Sequence, residues 1–177
     1  MTIKEIIEKR QSNRRYKEDA IEHEKVIQCI QAAHLAPSAC NAQAWKFVVV
    51  DEPTIKEQVA MAANDMGMNK FVLQAPVIIA VVLERANFTS AIGSTIKQKD
   101  YTMIDIGIAV ENICLQATEL GLGSCIVGWF NEHKVKKILQ IPRTKRVPLL
   151  ITLGYSDDIQ RTKIRKKIEE IYSFNKY

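Results

Sequence analysis

Long hydrophobic runs are missing from this chain of 177 residues. The longest, Val77–Leu83, falls far short of the ~20 residues that a membrane-spanning helix needs. The N-terminus, "MTIKEIIEKR", has charges at every turn and no apolar segment of the signal-peptide kind. A cytoplasmic protein with no membrane partner is expected. Cysteine is sparse: Cys29, Cys40, Cys114 and Cys125 form no CxxC pair, and no histidine stands at zinc-site spacing from them. That argues against a metal site or a disulfide framework. Three of the four lie in apolar segments and read as reduced core thiols, whereas Cys40 lies in an irregular loop. His23, His34 and His133 lie in charged or helical surroundings and read as surface or structural residues. No serine has a nucleophile-elbow context, and no paired carboxylates stand out. Neither GxGxxG after a strand nor a Walker A pattern occurs. If this chain is an enzyme, a cofactor must supply the reactivity.

What is present is an ordinary globular composition, 47% apolar and 25% charged, of a length that favours one domain over residues 1–177. The net charge of +5 is unevenly spread. From His133 onward there are 12 Lys and Arg against 4 Asp and Glu, a net of +8, while residues 1–132 carry 13 against 16. A basic C-terminal third suits an anionic partner, either nucleic acid or a phosphate on a small molecule; charge alone equally fits a solvated basic surface.

Helical and strand signals mix along the chain. "TIKEIIEKRQS" opens a helix, with Thr2 and Glu5 fitting a capping box. "RQSNRRYKEDAI" follows as a polar break without periodicity. A second helix spans about His23–Leu35 and stops at Pro37. "WKFVVVD" is a strand, and "PTIKEQVAMAAN" a helix begun by Pro53. "APVIIAVVLE" is a β-branched strand buried on both faces. Residues 85–99 are polar and irregular and read as a lid. The longest helix runs from about Tyr101 to Leu120, capped by Asp100 and ended by Gly121 or Gly123. It is apolar nearly all round, so most of its sides should be covered, in part by a subunit interface. A strand "SCIVGWF", a helix "EHKVKKILQ" and a strand "VPLLITLGY" follow. The tail "RTKIRKKIEEIYSFNKY" has Ile164, Ile168 and Ile171 at helical spacing and little else apolar. It looks like an arm that packs outside its own core.

Three polar clusters could carry a site. "RQSNR", Arg10 to Arg14, puts two guanidiniums and a hydroxyl on a short irregular segment, suited to an anion. The loop "APSACNAQAWKF" carries Pro37, Ser38, Asn41, Gln43 and Trp45 where a bare turn would connect helix and strand. "KIR" in the tail places Lys163 and Arg165 on one side of an extended chain.

Taken together with "GLGSCIVG", these clusters resemble the nitroreductase family of FMN-dependent oxidoreductases, over essentially the whole chain. "RQSNRRY" is similar to the family's Arg-Arg/His-Ser-x-Arg-x-Phe signature, and "APSACNAQAWKFVVV" to Pro-Ser-x-x-Asn-x-Gln-Pro-Trp-x-Phe. "GIAVENICLQATELGLGSCIVGWF" is similar to the long helix and flavin strand, and "TKIRKKIEEI" to the Lys-x-Arg tail. The resemblance implies an α+β, three-layer α/β/α fold. A mixed or antiparallel central sheet would surround the long helix, and the C-terminal arm would be domain-swapped. It implies a homodimer with FMN at the interface, NADH or NADPH as electron donor, and a small aromatic acceptor.

By that resemblance Arg10, Gln11, Ser12, Lys163 and Arg165 would hold the FMN phosphate, and Arg14 would stabilise negative charge on the reduced ring. Ile126, Val127 and Gly128 would line the flavin strand, with backbone of Val127 and Gly128 near flavin N5. Pro37, Ser38, Asn41 and Gln43 would face the flavin of the other subunit, and Trp45 would pack in the core. No side chain acts as catalytic acid or base, because hydride transfer asks for stacking and distance. Two positions depart from the signatures. Ala44 replaces a proline, which loosens the loop, and Gln11 replaces a basic residue, which removes one phosphate charge. Substrate walls, expected at residues 85–99 and Trp129–Phe130, are not fixed by the signatures. Two other functions fit parts of the sequence. A low-turnover FMN-binding storage or sensor protein would bind flavin but resist bleaching by NADH or NADPH. A basic nucleic-acid module would be colourless; the chain lacks the aromatic-interleaved basic motifs such a module uses.

Overall fold

The computed structural model describes residues 1–84 and 100–177; the lid expected at residues 85–99 lies outside them. The β-branched segments form a four-stranded sheet: β1 (Trp45–Val50), β2 (Val77–Leu83), β3 (Gly123–Val127) and β4 (Arg146–Gly154). The strand order is β1-β2-β4-β3, and each neighbouring pair is antiparallel. Among the described residues five α-helices flank it: α1 (Ile3–Lys9), α2 (His23–His34), α3 (Pro53–Ala63), α4 (Tyr101–Glu119) and α5 (Glu132–Ile138).

The alternation of side chains along β2 builds the layers. Val77, Ile79 and Val81 join α2 and α4 in one core. Ile78, Ala80 and Val82 join α3 and α5 in the other. Both faces of the strand are therefore buried, as its composition required, although the sheet is antiparallel. The result is the α+β, three-layer α/β/α arrangement.

Helix boundaries follow their caps. Thr2 and Glu5 form the capping box of α1, and Asp100 accepts the Met103 N–H at the start of α4. The polar break after α1 is less shapeless than its sequence suggests, because Ser12 and Tyr16 each bridge to the sheet region. The tail contains one short 3-10 turn, Ile168–Glu170, and no α-helix. An isolated amphipathic segment this short does not hold a helix without a surface to pack on.

α4 buries one face, including Ile106, Ala109, Val110 and Ile113, and leaves Met103, Ile104 and Ile108 exposed. Burial pushes the Cys29 thiol up to about 12 and the Cys114 thiol up to about 11. Both stay protonated at neutral pH and act as core side chains.

Candidate functional site

Two facing glycines let the N-terminal segment lie across the ends of β3 and β4. Gly123 and Gly154 are cross-strand partners. A Cβ on Gly123 would stand 2.8 Å from Asn13 Cγ, and one on Gly154 would stand 2.6 Å from Tyr16 Cδ1. Through that gap, Asn13 N–H donates to the Ser124 carbonyl at 2.8 Å, and Ser124 N–H donates to Asn13 Oδ1 at 3.3 Å. Asn13 Nδ2 donates to Ser156 Oγ at 2.8 Å. The buried Tyr16 hydroxyl meets the Asn13 carbonyl at 3.0 Å and the Thr152 hydroxyl at 2.7 Å. Burial drives that phenol far above its ordinary pKa, so it remains a neutral anchor.

The tail leaves β4 and returns along this anchored segment. Gln11 fastens the two, its Oε1 accepting the Arg161 N–H at 3.0 Å and its Nε2 donating to the Ile159 carbonyl at 3.2 Å. The Arg161 guanidinium donates to the Ser12 carbonyl, and the Lys163 ammonium to the Arg10 carbonyl. Between them lies a cleft of about 360 Å³. Its walls are the Arg10–Ser12 run, Arg14 and residues 161–165, with five cations and no carboxylate. Burial, then repulsion from Arg10 and Arg165, pushes the Lys163 ammonium below the ordinary lysine value. Arg10 Nε is buried without a hydrogen bond, and its nearest acid is Glu111 at 3.4 Å. Five converging cations, of which Arg10 and Lys163 are part-buried, match an anion with several acceptor oxygens, such as a phosphate.

The loop after α2 is built differently. Ala39 N–H donates to both carboxylate oxygens of Asp105 on α4, each at 3.1 Å. Asp105 is only 4% exposed. Ser38 Oγ accepts the Gln43 N–H at 3.0 Å, and Gln43 Nε2 donates to Asn41 Oδ1 at 3.0 Å. Cys40, Asn41 and Gln43 all take left-handed backbone, with φ of 53°, 50° and 46°. For non-glycine residues each such conformation costs on the order of 1–3 kcal/mol, and it persists where surrounding structure enforces it.

At the end of β3, Ile126 is exposed, Val127 buried and Gly128 exposed. A Cβ on Gly128 would meet nothing within 4 Å, so packing within the chain does not demand glycine there. The open space leaves the backbone approachable by a flat ligand. The Arg14 guanidinium lies over the ring of Phe71, 5.7 Å from its centroid, in the 3-10 turn Lys70–Gln74 that precedes β2.

The structure thus gathers Arg10, Gln11, Ser12, Arg14, Lys163 and Arg165 around one cleft. Pro37, Ser38, Asn41 and Gln43 do not line it, nor do Ile126, Val127 and Gly128. Sequence reasoning missed Arg161, although Arg161, Lys163 and Arg165 share the period of two that an extended chain needs to aim them together. It also missed Asp105, whose signal is a lone carboxylate within an apolar helix face.

Comparison with known proteins identifies the family. The sequence pattern described as the Nitroreductase family matches residues 7–155. A nitroreductase family protein of known structure from Clostridium novyi NT is 33% identical, with a TM-score of 0.76 over 89% of this chain and 87% of its own. An FMN-dependent nitroreductase from Clostridium difficile R20291 is 28% identical, with a TM-score of 0.79 over 97% and 98%. The oxygen-insensitive NADPH nitroreductase of Helicobacter pylori strain 26695 is 27% identical over 70% of this chain and 72% of its own. With a pattern match across the sheet, the long helix and the N-terminal half of the cleft, the chain belongs to the nitroreductase family of oxidoreductases.

Proposed function

We propose that this chain is an FMN-dependent NAD(P)H oxidoreductase that works as a homodimer of single-domain subunits. The observation that carries the reading is the cleft of five cations and no acid, formed where the tail meets the Arg10–Arg14 segment. Its donors suit a phosphate near dianionic charge, with Arg10, Ser12, Lys163 and Arg165 as ligands and Arg161 as a fifth cation. Gln11 holds the tail in place by its two bonds to residues 159 and 161. Bound FMN would supply two-electron chemistry, taking a hydride from NADH or NADPH in a ping-pong cycle and reducing a nitroaromatic, quinone or similar flat acceptor. The chain's own residues bind, orient and neutralise. Arg14 would place positive charge beside the ring, and the backbone leaving β3 at Val127 and Gly128, exposed at Gly128, would offer an N–H donor to the ring edge. No side chain has to move a proton for hydride transfer, which suits a site without histidine.

The homodimer explains surface that one chain leaves uncovered. Met103, Ile104 and Ile108 form an exposed apolar face on α4, and a Cβ on Gly107 beside them would meet nothing within 4 Å. Tail residues Ile159, Ile164 and Phe174 are 84%, 91% and 83% exposed. A groove of about 590 Å³ between α2 and the edge strand β1 is lined by Val26, Ile27, Ile30, Trp45, Phe47 and Val49, among others. The partner's tail would fill that groove, and the loop carrying Pro37, Ser38, Asn41 and Gln43 would reach the partner's flavin. Interfaces of this obligate kind commonly bury more than ~2,000 Å².

Purified protein should be yellow, sediment as a dimer and bleach when mixed anaerobically with NADH or NADPH. Colourless protein that binds no added FMN would reject the reading. Flavin that binds yet is never reduced would leave a storage or sensor protein instead.

A further inference from the structure

Asn69 stands outside every signature, yet its side chain joins two distant segments. Its Nδ2 donates to the Ala63 carbonyl at 3.2 Å and to the Trp129 carbonyl at 2.6 Å. Its backbone N–H donates to Asn64 Oδ1 at 3.2 Å. Both partners of Nδ2 are carbonyl oxygens, so the amide can sit only one way round. Ala63 ends α3, where the last carbonyls lack helical partners. The adjacent Ala62 carbonyl accepts the Asn131 N–H at 3.0 Å. These bonds stitch the end of α3 to the segment that links β3 to α5.

That segment, residues 128–130, receives no support from the sheet, because the β3–β4 register ends at Val127 and Leu150. Among the described residues, the N–H groups of Gly128 and Trp129 have no acceptor in the chain. The segment is therefore gripped through the Trp129 carbonyl and open at Gly128, where a Cβ would meet nothing within 4 Å.

We propose that Asn69 is a positioning residue for the cofactor: by clamping the Trp129 carbonyl it fixes the strand-exit segment at Gly128 and Trp129, whose two free backbone N–H groups would meet the flavin ring. This rests on the FMN reading above. Asn69 acts through Trp129 rather than by touching the reacting atoms. Leucine has nearly the same size and no donor. Aspartate would turn negative oxygens toward two carbonyls. Glutamine keeps the amide one methylene further out.

Amide hydrogen exchange of the full-length protein, with and without FMN, tests the clamp, together with stopped-flow reduction of the bound flavin by NADH or NADPH. In the native protein FMN should slow exchange at residues 128–130 and also at residues 10–14 and 161–165. In Asn69→Leu, protection at 128–130 should fall by about tenfold or more, and flavin reduction should slow by a similar factor, since misplacement of about 1 Å can cost more than that. Protection at 10–14 and 161–165 should stay within about threefold, the phosphate contacts being untouched. Asn69→Gln should recover part of both losses. Asn131→Ala removes the side-chain cap that accepts Lys134 N–H at 3.0 Å but keeps the bond from Asn131 N–H to Ala62. It controls for a purely structural loss and should leave protection at 128–130 as in the native protein. Should Asn69→Leu fail to fold, Asn69→Ser carries the same expectation. Native protection at 128–130 in the Leu or Ser variant would overturn the clamp. Native protein in which FMN protects neither region would overturn the flavin reading itself.

Discussion

The cleft beside the tail and the loop after α2 carry similar polar residues but solve opposite problems. The cleft gathers five cations and no carboxylate among its lining residues. Arg10, Arg14, Arg161, Lys163 and Arg165 converge there, and the Lys163 ammonium is pushed down by burial and by its cationic neighbours. The loop has its polar groups matched internally, with Ser38, Asn41 and Gln43 bonding to one another and Asp105 holding the backbone. It nevertheless holds three non-glycine residues in left-handed backbone. One region presents converging cations suited to an anion. The other holds Cys40, Asn41 and Gln43 in left-handed backbone on an exposed loop. Under the proposed function both features serve one ligand, whose phosphate would be gripped by one subunit and whose ring would meet the loop of another.

Substitutions that separate the two regions should differ in size. The largest effect belongs to the cleft. Replacing Lys163 and Arg165 together with Gln removes two charges beside a dianion. Each charged hydrogen bond contributes roughly 1.5–3 kcal/mol, so FMN affinity should fall by several tens-fold or more. Riboflavin, which lacks the phosphate, should be affected far less; equal small losses for both ligands would mean that the tail is only a solvated basic face. Next comes the loop anchor. Asp105→Ala leaves the Ala39 N–H without its carboxylate, and thermal unfolding should report a loss of about 1–3 kcal/mol. An unchanged melting temperature would show that the loop holds its shape without α4. Asn41→Ala should be milder, weakening flavin binding by an amount equivalent to on the order of 1 kcal/mol while sedimentation still gives a dimer.

The smallest effect is a pH dependence confined to the cleft. Lys163 titrates below its ordinary value in the free protein, and a bound phosphate would raise it. Binding then takes up a proton on the alkaline side. FMN affinity should be flat at neutral pH and decline as pH rises through the depressed Lys163 value, more for FMN than for riboflavin. Lys163→Gln should abolish the difference.

Much of this was legible in the sequence because local chemistry and global fold agree. Apolar runs of β-branched residues became β1, β2 and β4, and Thr2, Pro53 and Asp100 began helices where their capping chemistry allows. Arg10, Ser12, Lys163 and Arg165 were readable as an anion site because each lies in a short motif of its own. What escaped notice depends on distance in sequence. Asn69 is an unremarkable asparagine until α3 and the end of β3 bring Ala63 and Trp129 to either side of it. Asp105 reads as an oddity in an apolar helix until the loop's Ala39 N–H arrives. The isoleucines of the tail keep helical spacing, yet the segment is mostly irregular, because spacing alone supplies no surface for them to pack on.

The claim that cleft and loop act across a dimer is tested most directly by a mixed dimer. One subunit carries Lys163→Gln and Arg165→Gln, and the other carries Asn41→Ala. If each flavin is gripped by the cleft of one subunit and met by the loop of the other, one site in the purified heterodimer is wholly native and the other holds all three substitutions. FMN titration should then be biphasic, with half of the sites at native affinity. If cleft and loop serve the flavin from the same chain, each site is damaged in one region. No native-affinity fraction would appear, and that result would contradict the account.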